Sequence, residues 1–208
     1  MKQAAILLAA CAAALAGSPR ISYTKEFPKS VPAFVAITVE RSGDVTYQEA
    51  EKDDDPIRFK LHEDETQEIF RLTDKLDKFS RPLESNLPVA RMGLKTFRFE
   101  DGSVKNEQKF NYSVDDDAKV LADWFERIIE SEQCFMVLER TVKYDRLGVN
   151  DSLLRLQISF DRKRLVGMEQ YLPLLDRVIK NDSYLHMARE RASALADAIR
   201  NPKPAKSE

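Results

Sequence analysis

Phe34-Val35-Ala36-Ile37-Thr38-Val39, then Ser42-Gly43-Asp44, then Val45-Thr46-Tyr47, decides the architecture. The first six residues are rich in β-branched and aromatic side chains, which suit a pleated, half-buried surface. Ser-Gly-Asp supplies turn chemistry, so residues 34–49 read as a β-hairpin. Asp53-Asp54-Asp55-Pro56 breaks the chain, and Ile57-Arg58-Phe59-Lys60-Leu61 alternates as a half-buried strand should. Glu63, Asp64 and Glu65 then put negative charge in the first turn of a helix, where it complements the dipole. Ile69, Leu72, Leu76 and Phe79 give that helix one apolar stripe, with Pro82 as its stop.

The pattern repeats further on. Thr96-Phe97-Arg98-Phe99-Glu100 and Lys109-Phe110-Asn111-Tyr112 flank Asp101-Gly102, a second hairpin. Ser113 and Asp116 have the spacing of a capping pair, and Leu121, Trp124/Phe125 and Ile128 form the next helical stripe. Residues 18–32 read as a polar lead-in punctuated by Pro19, Pro28 and Pro32. The expected fold is α+β: a small antiparallel sheet of two hairpins plus a strand, with helices on one face. A mainly helical C-terminal subdomain follows.

The elements of residues 34–130 resemble emfourin-type protease-inhibitor modules. The resemblance rests on Ile37-Thr38-Val39-Glu40-Arg41-Ser42-Gly43, on Phe59-Lys60-Leu61 leading into an amphipathic helix, and on the aromatic hairpin strand. It implies inhibition of metalloproteases, and carries no inhibitory residue over to this chain.

In the second half, Phe135, Leu138 and Val142 continue a helix, and Leu147-Gly148-Val149-Asn150 stops it, with Asn150 or Asp151 able to cap the next. Residues 154–161 alternate like a strand, but their helical surroundings favour a helix buried on two sides. Leu174, Leu175, Val178 and Ile179 mark one more helix. Asn181-Asp182-Ser183 is a turn with an N-cap. Leu185, Ala188, Ala192, Leu195, Ala196 and Ile199 mark the last helix. This final pair resembles a HEAT-type helical hairpin, but no internal period accompanies it, so no solenoid follows. The expected units are 17–131, the α+β subdomain, 132–200, the helical subdomain, and 201–208, a disordered tail. Residues 17–130 carry 18 basic and 24 acidic side chains, and residues 131–208 carry 14 and 11.

The first residues read as an address. Lys2 gives a charged start, Ala4 to Ala14 a short apolar run, and Ala14-Leu15-Ala16 a small-x-small cleavage pattern. Residues 1–16 are therefore expected to be a signal peptide, placing the protein in the periplasm or outside the cell. Leu8-Ala9-Ala10-Cys11 also resembles a lipobox, which implies the alternative of a lipid anchor on Cys11. No span of the mature chain reads as transmembrane.

Composition narrows the chemistry. The 33 Lys and Arg against 35 Asp and Glu leave no net basic field, which argues against a general nucleic-acid binder. The closest glycines, Gly93 and Gly102, are too far apart to cradle a phosphate. His62-Glu63-Asp64-Glu65-Thr66 supplies half a zinc-hydrolase motif, and His186 is the only other histidine, so no metal or other cofactor is expected. Ser22-Tyr23-Thr24-Lys25 fits S-x-x-K but lacks its companion motifs. Cys134 has apolar neighbours that favour an inert, buried thiol. Asn111, Asn150 and Asn181 each begin a glycosylation sequon, but the bacterial-type leader argues against glycans.

The one compact basic cluster, Arg155, Arg162, Lys163 and Arg164, is the candidate contact for an anionic partner. The expected function is a non-enzymatic interaction module of the periplasm or cell envelope, with a protein or envelope component as partner. The alternatives are an emfourin-like secreted protease inhibitor and a hydrolase whose carboxylate pair the sequence does not single out.

Overall fold

The structure is a computed structural model and describes residues 18–202. The expected signal peptide, Cys11 and most of the expected tail lie outside these residues. Six strands form one antiparallel sheet: β1 (Arg20–Glu26), β2 (Phe34–Glu40), β3 (Asp44–Gln48), β4 (Ile57–Lys60), β5 (Leu94–Asp101) and β6 (Val104–Phe110). Their order across the sheet is β4-β3-β2-β1-β5-β6. Five α-helices complete the described residues: α1 (Glu63–Lys75), α2 (Asp116–Tyr144), α3 (Val149–Asp161), α4 (Leu172–Ile179) and α5 (His186–Arg200). The α+β class and the helical C-terminal region are as expected.

The lead-in is not a lead-in. Residues Arg20–Glu26 form the central strand that joins the two hairpins, pairing with β2 on one side and β5 on the other. Ile21 and Tyr23 alternate with Ser22 and Thr24, a strand pattern hidden by the flanking prolines. Tyr47, Ile37, Tyr23 and Phe97 form one row across the sheet, all buried. The helices cover that face. The other carries short polar side chains, among them Ser22, Thr24, Thr38 and Thr46.

Local chemistry moves several boundaries. His62 caps α1: its Nδ1 accepts the N–H of Asp64, and Glu65 accepts the N–H of His62. α1 ends at Lys75, before Pro82, and Asp77, Lys78 and Phe79 follow in the left-handed region at φ 51°, 51° and 60°. Such residues cost roughly 1–2 kcal/mol each. Burial of Phe79 holds them, together with Asn106 and Gln108 of β6, whose side chains donate to the carbonyls of Lys78 and Phe79. Asp115, not Ser113, caps α2, accepting the N–H of Ala118 at 3.1 Å. Asn150 and Asp151 lie inside the first turn of α3, and Asn181 makes a turn with Ser183 without capping α5.

α2 runs unbroken for 29 residues, about 43 Å at helical rise. It threads two apolar clusters. Leu121, Phe125 and Ile128 belong to the sheet cluster; Leu138 and Val142 belong to a helical one with Leu153, Leu175 and Leu195. Between them is a buried polar belt. Ser131 Oγ accepts the N–H of Val166, its carbonyl accepts Tyr171 Oη, and Glu132 accepts Gln170. Residues 154–161 are helical, but not buried on two sides. Leu156 is buried, while Leu154 and Ile158 remain 41% and 42% exposed. The loop after α3 docks on the sheet through Gly167, at φ 58°, where a Cβ would come within 2.8 Å of the Phe59 ring.

Candidate functional site

α1, α2, the turn after α3 and the end of α5 enclose a cleft of about 550 Å³. That is within the usual size of a small-molecule site. Phe160, Leu165, Met168 and Ala198 give it an apolar wall. Glu65, Arg127, Asp161 and Lys163 are its charged side chains.

Arg127 reaches the cleft because it follows Trp124 by one turn of α2, and its guanidinium lies over the Trp124 ring at 4.1 Å. Among the described residues it has no salt bridge, and its buried Nε has no hydrogen-bond acceptor. Burial pushes its pKa below the usual arginine value. Glu65 is already engaged. One oxygen accepts the backbone N–H groups of His62 and Gly167 at 2.9 and 3.0 Å, and burial raises its pKa. An unpaired guanidinium beside an apolar wall is suited to a carboxylate or phosphate attached to an apolar body.

The basic cluster expected from the sequence is split. Lys163 lines the cleft from a left-handed turn position at φ 55°. Arg164 is committed to Asp123 at 2.7 Å and to Glu130 at 3.1 Å. Arg162 is exposed at the C-cap of α3, and Arg155 is exposed on its outer side. Arg127, whose buried Nε has no acceptor among the described residues, is not singled out by the sequence. It lies 36 residues before Lys163 in an ordinary helical stripe, and only the stacking on Trp124 distinguishes it.

The other candidates have structural partners. Ser22 Oγ bonds Thr38 Oγ1 while Lys25 Nζ bonds Glu126, so the two ends of the S-x-x-K stretch work on opposite faces of the sheet. Cys134 Sγ lies 3.9 Å from Ser159 Oγ, and burial raises its pKa, which favours the inert thiol. His186 is exposed beside Glu190. Among the described residues no three His, Cys, Asp or Glu side chains converge as a metal set, and no helix is long and apolar enough to cross a membrane. Compared with known protein families and with curated proteins, the chain matches none.

Proposed function

We propose that this is an exported, non-enzymatic interaction module that holds an anionic group with an apolar neighbour in the cleft between α1, α2, α3 and α5. The observation that carries the reading is Arg127, stacked on Trp124 in the cleft wall without a carboxylate partner among the described residues. Leaving such a group unpaired is costly unless a ligand or water meets it. Lys163 adds a second cation and the Phe160 wall adds affinity without direction.

Trp124 is the only tryptophan, so it reports on its own neighbour. Titration with octyl phosphate should change its fluorescence saturably. Arg127→Met should weaken that binding at least tenfold, and Lys163→Gln by less. Equal affinity in Arg127→Met would refute the site. A pull-down from an envelope fraction identifies the natural partner. Fractionation and N-terminal mass spectrometry test export, reading Gly17 or a lipidated Cys11 as the first residue. An intact precursor in the cytosol excludes export.

The hydrolase reading keeps one observation: Glu65 and Asp161 line the same cleft. Glu65 already holds two backbone N–H groups, which favours a structural role. Turnover of a glycoside lost in both Glu65→Gln and Asp161→Asn would reverse the preference.

A further inference from the structure

Residues 85–93, Ser-Asn-Leu-Pro-Val-Ala-Arg-Met-Gly, run as an irregular segment from the left-handed turn into β5, with residues 86–92 exposed. One side chain braces its apex. Asn111 Nδ2 donates to the carbonyl of Ala90 at 3.0 Å, and Asn111 Oδ1 accepts the N–H of Met92 at 2.8 Å. The amide therefore bridges the backbone on both sides of Arg91. Only one orientation of the amide satisfies both bonds, because one partner is a carbonyl and the other an N–H.

Asn111 is itself fixed. Its N–H donates to Glu84 Oε2 at 2.6 Å, and its carbonyl accepts Lys95 Nζ at 3.1 Å. The Asn111 N–H holds the Glu84 carboxyl below the usual carboxylate range. Glu84 Oε1 also accepts the N–H of Asn86, and Ser85 donates its N–H to the Tyr112 carbonyl. At the other end Gly93, at φ 97°, packs so closely that a Cβ would lie 3.0 Å from that of Phe27. The segment is tied at both ends and clamped in the middle, yet its side chains face outward. Arg91 is exposed and has no ion pair among the described residues. Leu87, Val89 and Met92 are 51%, 42% and 66% exposed around it.

Leu87, Val89 and Met92 thus give the braced segment apolar side chains on both sides of Arg91. We propose that residues 87–92 form a protease-binding loop that presents Arg91 to a serine endoprotease whose S1 pocket carries a carboxylate. The cation on Arg91 complements an acidic S1 pocket. Leu87, Val89 and Met92 fit the apolar subsites on either side. Fixing the loop in advance removes most of the ordering cost a flexible substrate must meet on binding.

The clamp also accounts for resistance to cleavage. The protease serine attacks the Arg91 carbonyl, its histidine takes the hydroxyl proton, and the Arg91–Met92 bond breaks with that proton passing to the Met92 amine. Asn111 Oδ1 holds this amine in place. It re-adds to the acyl ester, returns the proton through the histidine, and releases the serine with the peptide bond restored. The site uses none of the residues of the Arg127 cleft. It also differs in partner from the metalloproteases that the emfourin resemblance implies.

The experiment assays the full chain against trypsin, chymotrypsin and thermolysin, with mass spectrometry of the product. Saturable inhibition of trypsin is expected, with chymotrypsin and thermolysin spared and the Arg91–Met92 bond largely intact. Arg91→Ala should weaken inhibition at least a hundredfold, and Arg91→Leu should transfer it to chymotrypsin. Asn111→Ala should turn the inhibitor into a substrate cut at Arg91–Met92 with unchanged circular dichroism. No inhibition of trypsin, rapid cleavage of the unmodified chain at Arg91, or inhibition that survives Arg91→Ala overturns the proposal. Arg127→Met, which should leave trypsin inhibition unchanged, separates this outcome from that of the cleft.

Discussion

Glu65 of α1 accepts the backbone N–H of Gly167 at 3.0 Å, across 102 residues of chain. The same oxygen closes the capping box with His62 at 2.9 Å. One carboxylate thus starts the first helix and fastens the loop of the helical half to it. Glu65→Ala should cost about 1–3 kcal/mol, from a lost cap and an orphaned N–H. Urea unfolding followed by Trp124 fluorescence measures it. A change below a few tenths of a kcal/mol would show that the contact holds nothing.

Gly167→Ala should destabilise more than an ordinary surface substitution. The new Cβ meets the Phe59 ring at 2.8 Å and the Lys60 carbonyl at 3.0 Å, at a φ of 58°. A loss of about 1–3 kcal/mol is expected, of the size seen for overpacking. Since Phe59 lies on the sheet and Gly167 in the helical half, both should lose stability together. Coincident urea transitions by fluorescence and far-UV circular dichroism test this.

Glu132 is buried in the polar belt with one oxygen unpartnered, and burial raises its pKa from 4.5 to about 7. A folded-state pKa above the unfolded value means the native state binds the proton more tightly. Its contribution is present below about 4.5 and lost as pH rises through about 7. Glu132→Gln should therefore flatten the pH profile between 5 and 8 and gain roughly 1–3 kcal/mol relative to the parent at pH 8. Urea midpoints at both pH values measure it, and parallel profiles would contradict it.

Phe125 and Trp124 are adjacent, and the structure separates their roles. Phe125 is fully buried and stacks on Tyr23 at 4.7 Å, whereas Trp124 is partly buried under Arg127. Phe125→Ala should cost about 3–5 kcal/mol. Trp124→Phe should cost little stability and alter the cleft instead. Thermal unfolding of both variants distinguishes the two roles, and the reverse ranking would overturn them.

Much of the fold was legible because local chemistry determines it. Asp101-Gly102 allows little but a hairpin, Glu63 to Glu65 can only help a helix start, and the spacing of Ile69 and Leu72 fixes the face that α1 buries. Lys163 could be singled out from the charge run alone, and the structure places it on the cleft lining. The place of Arg20–Glu26 was not, since strand pairing is non-local and its prolines mark only the ends of the strand. The alternation in 154–161 misled in another way. A helix turns Leu154 and Ile158 away from Leu156, so period alone says nothing of which apolar side chains find cover. Arg127 and Asn111 were invisible for the same physical reason. A guanidinium without a partner, or an amide that braces a distant backbone, is defined by what lies opposite it across the fold. Sequence determined which residues are able to make strands, turns and caps; tertiary structure alone decided which polar groups are satisfied and which are left facing a cleft or solvent.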